Sequence, residues 1–166
     1  MVETWHRFRP PLPRPPVMDA PNPAPLTPAH LLGMYRHQEP GYRPLVDFAS
    51  WRVAILNFSQ DLRVENIKRL QRHNETDEVF VLLAGRCLLL TAEGEECATR
   101  IHAEDLQAGL VYNVRRGVWH NHVLSPDARV LVVENRDTTY DNSPFTDLSA
   151  AQQAELARLC RRIWRR

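Results

Sequence analysis

Between Phe48 and Asn135 the chain is a succession of short apolar segments separated by glycines and polar turns: FASWRVAILNF, RVENIKRLQRH, EVFVLLAGRCLLLTA, ATRIHAE, LVYNVRRG, WHNHVL and ARVLVVEN. Segments of this length, rich in β-branched, leucine and aromatic residues, read as strands, and Gly85, Gly94, Gly109 and Gly117 punctuate them. Seven or more such strands with no long helix among them point to an all-β sandwich or small barrel. One element differs. Ser149 opens SAAQQAELARLCRRIW, with Gln152 completing a capping box and Leu156, Leu159 and Ile163 forming an apolar stripe, so a helix over about 149–164 is expected to pack on the barrel.

Proline divides the rest. Eleven of the thirteen prolines precede position 45, so residues 1–26 are expected to be a disordered, extended Pro-rich arm and 27–166 a single domain with its barrel core over about 45–136. Thr27 and Pro28 can open a short helix through Gly33, threonine as N-cap and proline in the first turn. A chain of 166 residues has room for one sizeable core. A net charge of +1 argues against a nucleic-acid surface, and the cluster Arg158, Arg161, Arg162, Arg165 and Arg166 reads as a solvated helix face. Three cysteines without framework spacing suit a reducing, cytoplasmic setting. No apolar run is long enough for a signal peptide or a membrane span, so no membrane partner is expected.

The polar stretch RHNETDE, residues 72–78, interrupts this pattern just before a strongly apolar strand. Side chains two apart on a strand share a face, so Gln71 and His73 point one way, joined by Arg69 and Ile67. After the NETD turn, Glu78 shares a face with Phe80 and Leu82, and a hairpin-like return brings Glu78 near His73. About forty residues on, His120 and His122 again share a face, and one of them can complete a metal site.

At these positions the sequence resembles the cupin superfamily. QRHNETDEVFVLLAG is similar to the first cupin motif, with Gln71 in the first histidine position, His73 in the second, Glu78 as the glutamate and Gly85 as the glycine. GLVYNVRRGVWH is similar to the second, with Gly109, Arg115 where proline is usual, Gly117, and His120 as the metal-ligating histidine. The resemblance implies a double-stranded β-helix, or jelly roll, holding a divalent metal ion (Zn, Fe, Mn or Ni) on His73, Glu78 and His120, with Gln71 as a weaker fourth ligand. The ligand types Gln, His, Glu and His are similar to those of the zinc-dependent mannose-6-phosphate isomerases, whose glutamate lies much further along the chain.

His122 and Glu134 are the candidate acid/base residues. Arg69, Phe80, Tyr112 and Trp119 are candidates for contacting a small-molecule substrate, the aromatics having core or rim packing as their alternative. Arg69 should face the interior and pair with a carboxylate, Glu134 being the candidate, or await an anionic ligand. The resemblance implies a metal-dependent enzyme acting as a Lewis acid on a carbohydrate-like or hydroxy-acid substrate. Non-haem iron dioxygenase chemistry and non-catalytic binding are the alternatives. A homodimer is expected through the edge of the strand around Trp51 to Phe58.

Overall fold

The computed structural model describes residues 26–165, so the expected arm lies almost wholly outside them. The chain divides into two units between Met34 and Tyr35. In the first, the N–H groups of Leu31 and Leu32 donate to the Pro28 carbonyl at 2.9 and 3.2 Å, forming one turn where the sequence suggested a helix through Gly33. So short a segment gains too few hydrogen bonds to offset helix nucleation.

The second unit contains β1 (Gly41–Phe48), β2 (Trp51–Asn57), β3 (Arg69–Gln71), β4 (Glu78–Ala84), β5 (Cys87–Ala92), β6 (Ile101–Asp105), β7 (Tyr112–Val114), β8 (Trp119–Leu124), β9 (Arg129–Asn135), β10 (Phe145–Asp147) and α1 (Ala150–Trp164). They form two five-stranded antiparallel sheets, ordered β1-β2-β9-β4-β7 and β10-β3-β8-β5-β6. From β3 onward the chain crosses from sheet to sheet at every connection but the β5–β6 hairpin, which is the double-stranded β-helix of a cupin-type jelly roll.

Several segments differ from their sequence reading. FASWRVAILNF is divided by a tight turn at Ala49, whose φ of +49° reverses the chain, and β1 and β2 form a hairpin. RVENIKRLQRH, preceded by a 3-10 turn at Gln60–Leu62, opens with a second one, Val64–Asn66, and only Arg69–Gln71 is extended. β2 is bonded on one side to β1 and on the other to β9, so the edge pairing expected of the strand around Trp51 is ruled out. The edge on that side of the sheet is β1, which carries Pro44 and an irregular register between Pro44 and Val46, both of which blunt an edge.

The inner faces grade from polar to apolar. Along β4 they present Glu78, Phe80 and Leu82, and along β8 His120, His122 and Leu124, all buried. The apolar end packs Leu82, Leu89, Leu124 and Val130 with Ala54 and Leu56 of β2. Leu88, Leu90, Trp119 and Val123 face outward and are covered by Leu156 and Cys160 of α1. The central strands β5 and β8 of the second sheet are therefore buried on both faces, which explains the uninterrupted run CLLL. The helix forms with the Ser149–Gln152 capping box, and full burial of Leu156 contributes about 1.5–3 kcal/mol. Gly85 is obligatory between β4 and β5: its φ is +66°, and a Cβ there would lie 2.6 Å from the Ala128 backbone.

Candidate metal centre

The β3–β4 connection carries the chain from one sheet to the other, and that crossing brings His73 and Glu78 together. Gly117 N–H donates to the His73 carbonyl at 2.8 Å, tying the turn before β8 to the start of the first motif. Asp77 clamps the start of β4, accepting Arg116 N–H at 2.8 Å and the Asn113 amide at 2.8 Å.

With the backbone so held, His73 Nε2 and His120 Nε2 lie 3.0 and 2.8 Å from the same Glu78 oxygen, Oε2. The three ligand atoms all lie within 4.8 Å of one another, and all three residues are buried. The outer nitrogens define the tautomers. His120 Nδ1 lies 2.9 Å from the Val118 carbonyl, which can only accept, so Nδ1 carries the proton. For His73 the chain of bonds is longer. Thr139 N–H donates to Asn142 Oδ1 at 2.9 Å, which makes that oxygen an acceptor, and Ser143 Oγ–H donates to it at 3.0 Å. Ser143 Oγ then accepts from His73 Nδ1, 2.8 Å away.

Neutral imidazoles with Nδ1 protonated present bare Nε2 lone pairs, and here both face a carboxylate. Such a cluster repels itself unless a cation sits inside it or a proton is taken up. The donor set therefore fits a divalent ion, and Ser143 and Val118 act as the outer partners that orient metal-binding imidazoles. The ionisation of the cluster reflects the same pull. Burial works to raise the Glu78 pKa, but the bonds from His120 and His73 outweigh it and hold the carboxyl well below the usual carboxylate range. Burial likewise opposes charge on His120, but the bond to Glu78 wins and raises its pKa.

Gln71 pairs directly with His120 across β3 and β8 and lines the adjacent cavity, its side chain making no hydrogen bond among the described residues. The cavity has a volume of about 810 Å³ and is also lined by Arg69, Phe80, His122 and Glu134. His122 is buried, and burial pushes its pKa down to about 4, so it is neutral at physiological pH. Its ring lies 4.7 Å from Phe80 between centroids, and its Nε2 has no hydrogen-bond partner among the described residues.

Three sequence expectations are corrected. Trp119 is 2% exposed but faces the α1 side of its sheet, opposite to His120 as strand alternation requires, with the Arg72 guanidinium over its ring. Tyr112 packs against the apolar core and its hydroxyl accepts Gln107 N–H at 2.9 Å, so it too lies off the cavity lining. Arg69 is exposed and sits 4.3 Å over the Phe145 ring, with no carboxylate partner among the described residues. Glu134 is instead engaged by Tyr42, whose hydroxyl donates to it, and by Arg52 at 3.8 Å.

Tyr42, Arg52 and Ser143 were not singled out from the sequence. Only Arg52 left a signal, as a charge two residues from Ala54 on the face that also bears Leu56.

No family model and no curated protein matches the chain. Among solved structures it is similar to a cupin-2 domain protein from Shewanella frigidimarina, at 20% identity over 61% of this chain and 85% of that one, TM-score 0.44. It is similar to the nucleoside dehydratase Pac13 at 9% identity over 73% and 89%, TM-score 0.48. The Fe(II) form of HppE matches at 18% identity over 56% of this chain and only 48% of its own length, TM-score 0.45. These likenesses are too distant to inform the chemistry, which rests on the site itself.

Proposed function

We propose that the protein is a small metal-dependent enzyme in which His73, Glu78 and His120 hold one divalent ion with Gln71 at its margin. That ion would act as a Lewis acid on a small polar, carbohydrate-like or hydroxy-acid substrate. The observation that carries this reading is the pair of imidazoles whose Nδ1 protons are committed outward, to Ser143 and to the Val118 carbonyl, leaving two Nε2 atoms aimed at one carboxylate oxygen. A cavity of about 810 Å³ beside the cluster suits a small molecule. Within it, His122 offers an unbonded ring nitrogen to orient a ligand oxygen, and Glu134 is the carboxylate left free of the cluster to move a proton. Phe80 walls the apolar side, its ring against that of His122.

One observation favours a second reading. The tight cluster numbers two histidines and one carboxylate, a set that also suits non-haem iron and dioxygen chemistry. Elemental analysis of protein purified without chelator, followed by screens of hydroxy acids and aldoses with and without oxygen, separates the two. Turnover that needs no oxygen supports the Lewis-acid reading, and bound iron with oxygen uptake overturns it.

A further inference from the structure

Tyr42, Arg52 and Glu134 come from three adjacent strands, β1, β2 and β9, and line the same cavity as His73 and Glu78. Arg52 and Glu134 are directly paired across β2 and β9, and Arg52 is anchored from behind by Asp47 at 2.9 Å. Glu134 also continues the β4–β9 register one step beyond Val79 and Val133, which places it beside Glu78 on the inner face. Two neighbouring carboxylates are thus held in different ways. Glu78 is gripped by two imidazoles, whereas Glu134 accepts from a phenol that itself borders the cavity. Two further polar atoms at the cavity, His122 Nε2 and Thr138 Oγ1, are buried without a partner among the described residues, and His122 is only 7% exposed. Buried polar atoms without partners mark where the polar groups of a ligand can bind.

We infer that Tyr42 and Glu134 form a proton relay for a hydroxyl group of the substrate, an inference that rests on the small-molecule chemistry proposed for this cavity. The substrate O–H bond breaks as its proton passes to Tyr42 Oη, and the phenol's own proton passes to Glu134 Oε1. Negative charge moves from Glu134 to the substrate oxygen, Tyr42 is neutral before and after, and no oxidant or reductant is required. Burial, reinforced by the bond to Glu134, holds the Tyr42 pKa far above its ordinary value. Because the phenol already donates to the carboxylate, the substrate proton can arrive at Oη as the phenol's own proton leaves for Glu134. Arg52 sits beside the carboxylate and steadies its charge before transfer.

The test compares the wild type with Tyr42→Phe and Glu134→Gln at equal metal content. The probes are lactate against propionate and ribose against deoxyribose, pairs that differ by one hydroxyl. Calorimetry of the wild type should show the hydroxylated member of at least one pair bound about tenfold more tightly. Difference infrared spectra should then show the carbonyl stretch of a newly protonated carboxyl. Tyr42→Phe, which keeps the ring, should lose both the preference and the band, and Glu134→Gln should lose the band. Absence of any hydroxyl preference or of the band in the wild type overturns the relay, as does persistence of the preference or band in Tyr42→Phe, or of the band in Glu134→Gln. Metal content is read on the same samples. A metal-loaded wild type without hydroxyl preference sinks the relay alone, whereas a wild type that takes up no metal sinks the functional reading beneath it.

Discussion

Replacing Ser143 by alanine isolates the feature on which the proposed metal site depends, because it touches no proposed ligand atom. Ser143 is 3% exposed, and its hydroxyl is the acceptor that keeps the proton on His73 Nδ1. In Ser143→Ala that N–H is buried without a partner, at a cost of about 1–3 kcal/mol. The imidazole can recover much of this by moving its proton to Nε2 and donating it to Glu78 Oε2, 3.0 Å away. The recovery consumes the lone pair a metal needs. Loss of an outer partner of this kind typically weakens metal affinity by about 10–100-fold, or about 1.4–2.7 kcal/mol. Competition titration of zinc against a chromophoric chelator measures the change, with thermal melts confirming that the barrel is folded. A folded Ser143→Ala protein with wild-type zinc affinity would refute the tautomer reasoning.

Burial raises the Glu134 pKa, so its ionised form costs stability. A carboxyl whose folded pKa lies above its unfolded value stabilises the fold at low pH and loses that contribution as pH rises through the folded pKa. Glu134→Gln in metal-free protein should therefore melt higher than the wild type at neutral pH, and the difference should vanish in acid below the ordinary carboxylate range. Thermal melts across pH check this. Burial also pushes the thiols of Cys87 and Cys160 up to about 12 and about 11, whereas Cys97 is exposed. An alkylating reagent at mildly alkaline pH should label Cys97 alone in the native protein and all three cysteines after denaturation, read by mass spectrometry.

The fold and the candidate cluster were legible because strand periodicity and two short motifs carry them, although His120 lies 42 residues from Glu78. Strand alternation carries Glu78, Phe80 and Leu82 on one face and His120 and His122 on another, while the jelly roll was implied by the resemblance of the two motifs to those of cupins. Alternation separates two faces but does not say which is inner when both are covered. Trp119 was misplaced for that reason, since α1 makes the outer face of its sheet as apolar as the inner one. RVENIKRLQRH alternates well enough to suggest a strand, yet tertiary packing turns its first half into 3-10 geometry. Tyr42 and Ser143 left no trace because their roles depend on partners 92 and 70 residues away. Arg69 illustrates a different limit: an aromatic face can hold a guanidinium, so an arginine on this face did not require a carboxylate.

The metal cluster itself is tested most directly by the metal content of His73→Ala against the wild type, by elemental analysis of chelator-free preparations with circular dichroism as the control for folding. Removing one of three converging ligands should reduce bound metal severely while the barrel stays folded, because its apolar core is built from other residues. Equal metal content in the two folded proteins would contradict the account and reduce RHNETDE to a polar turn.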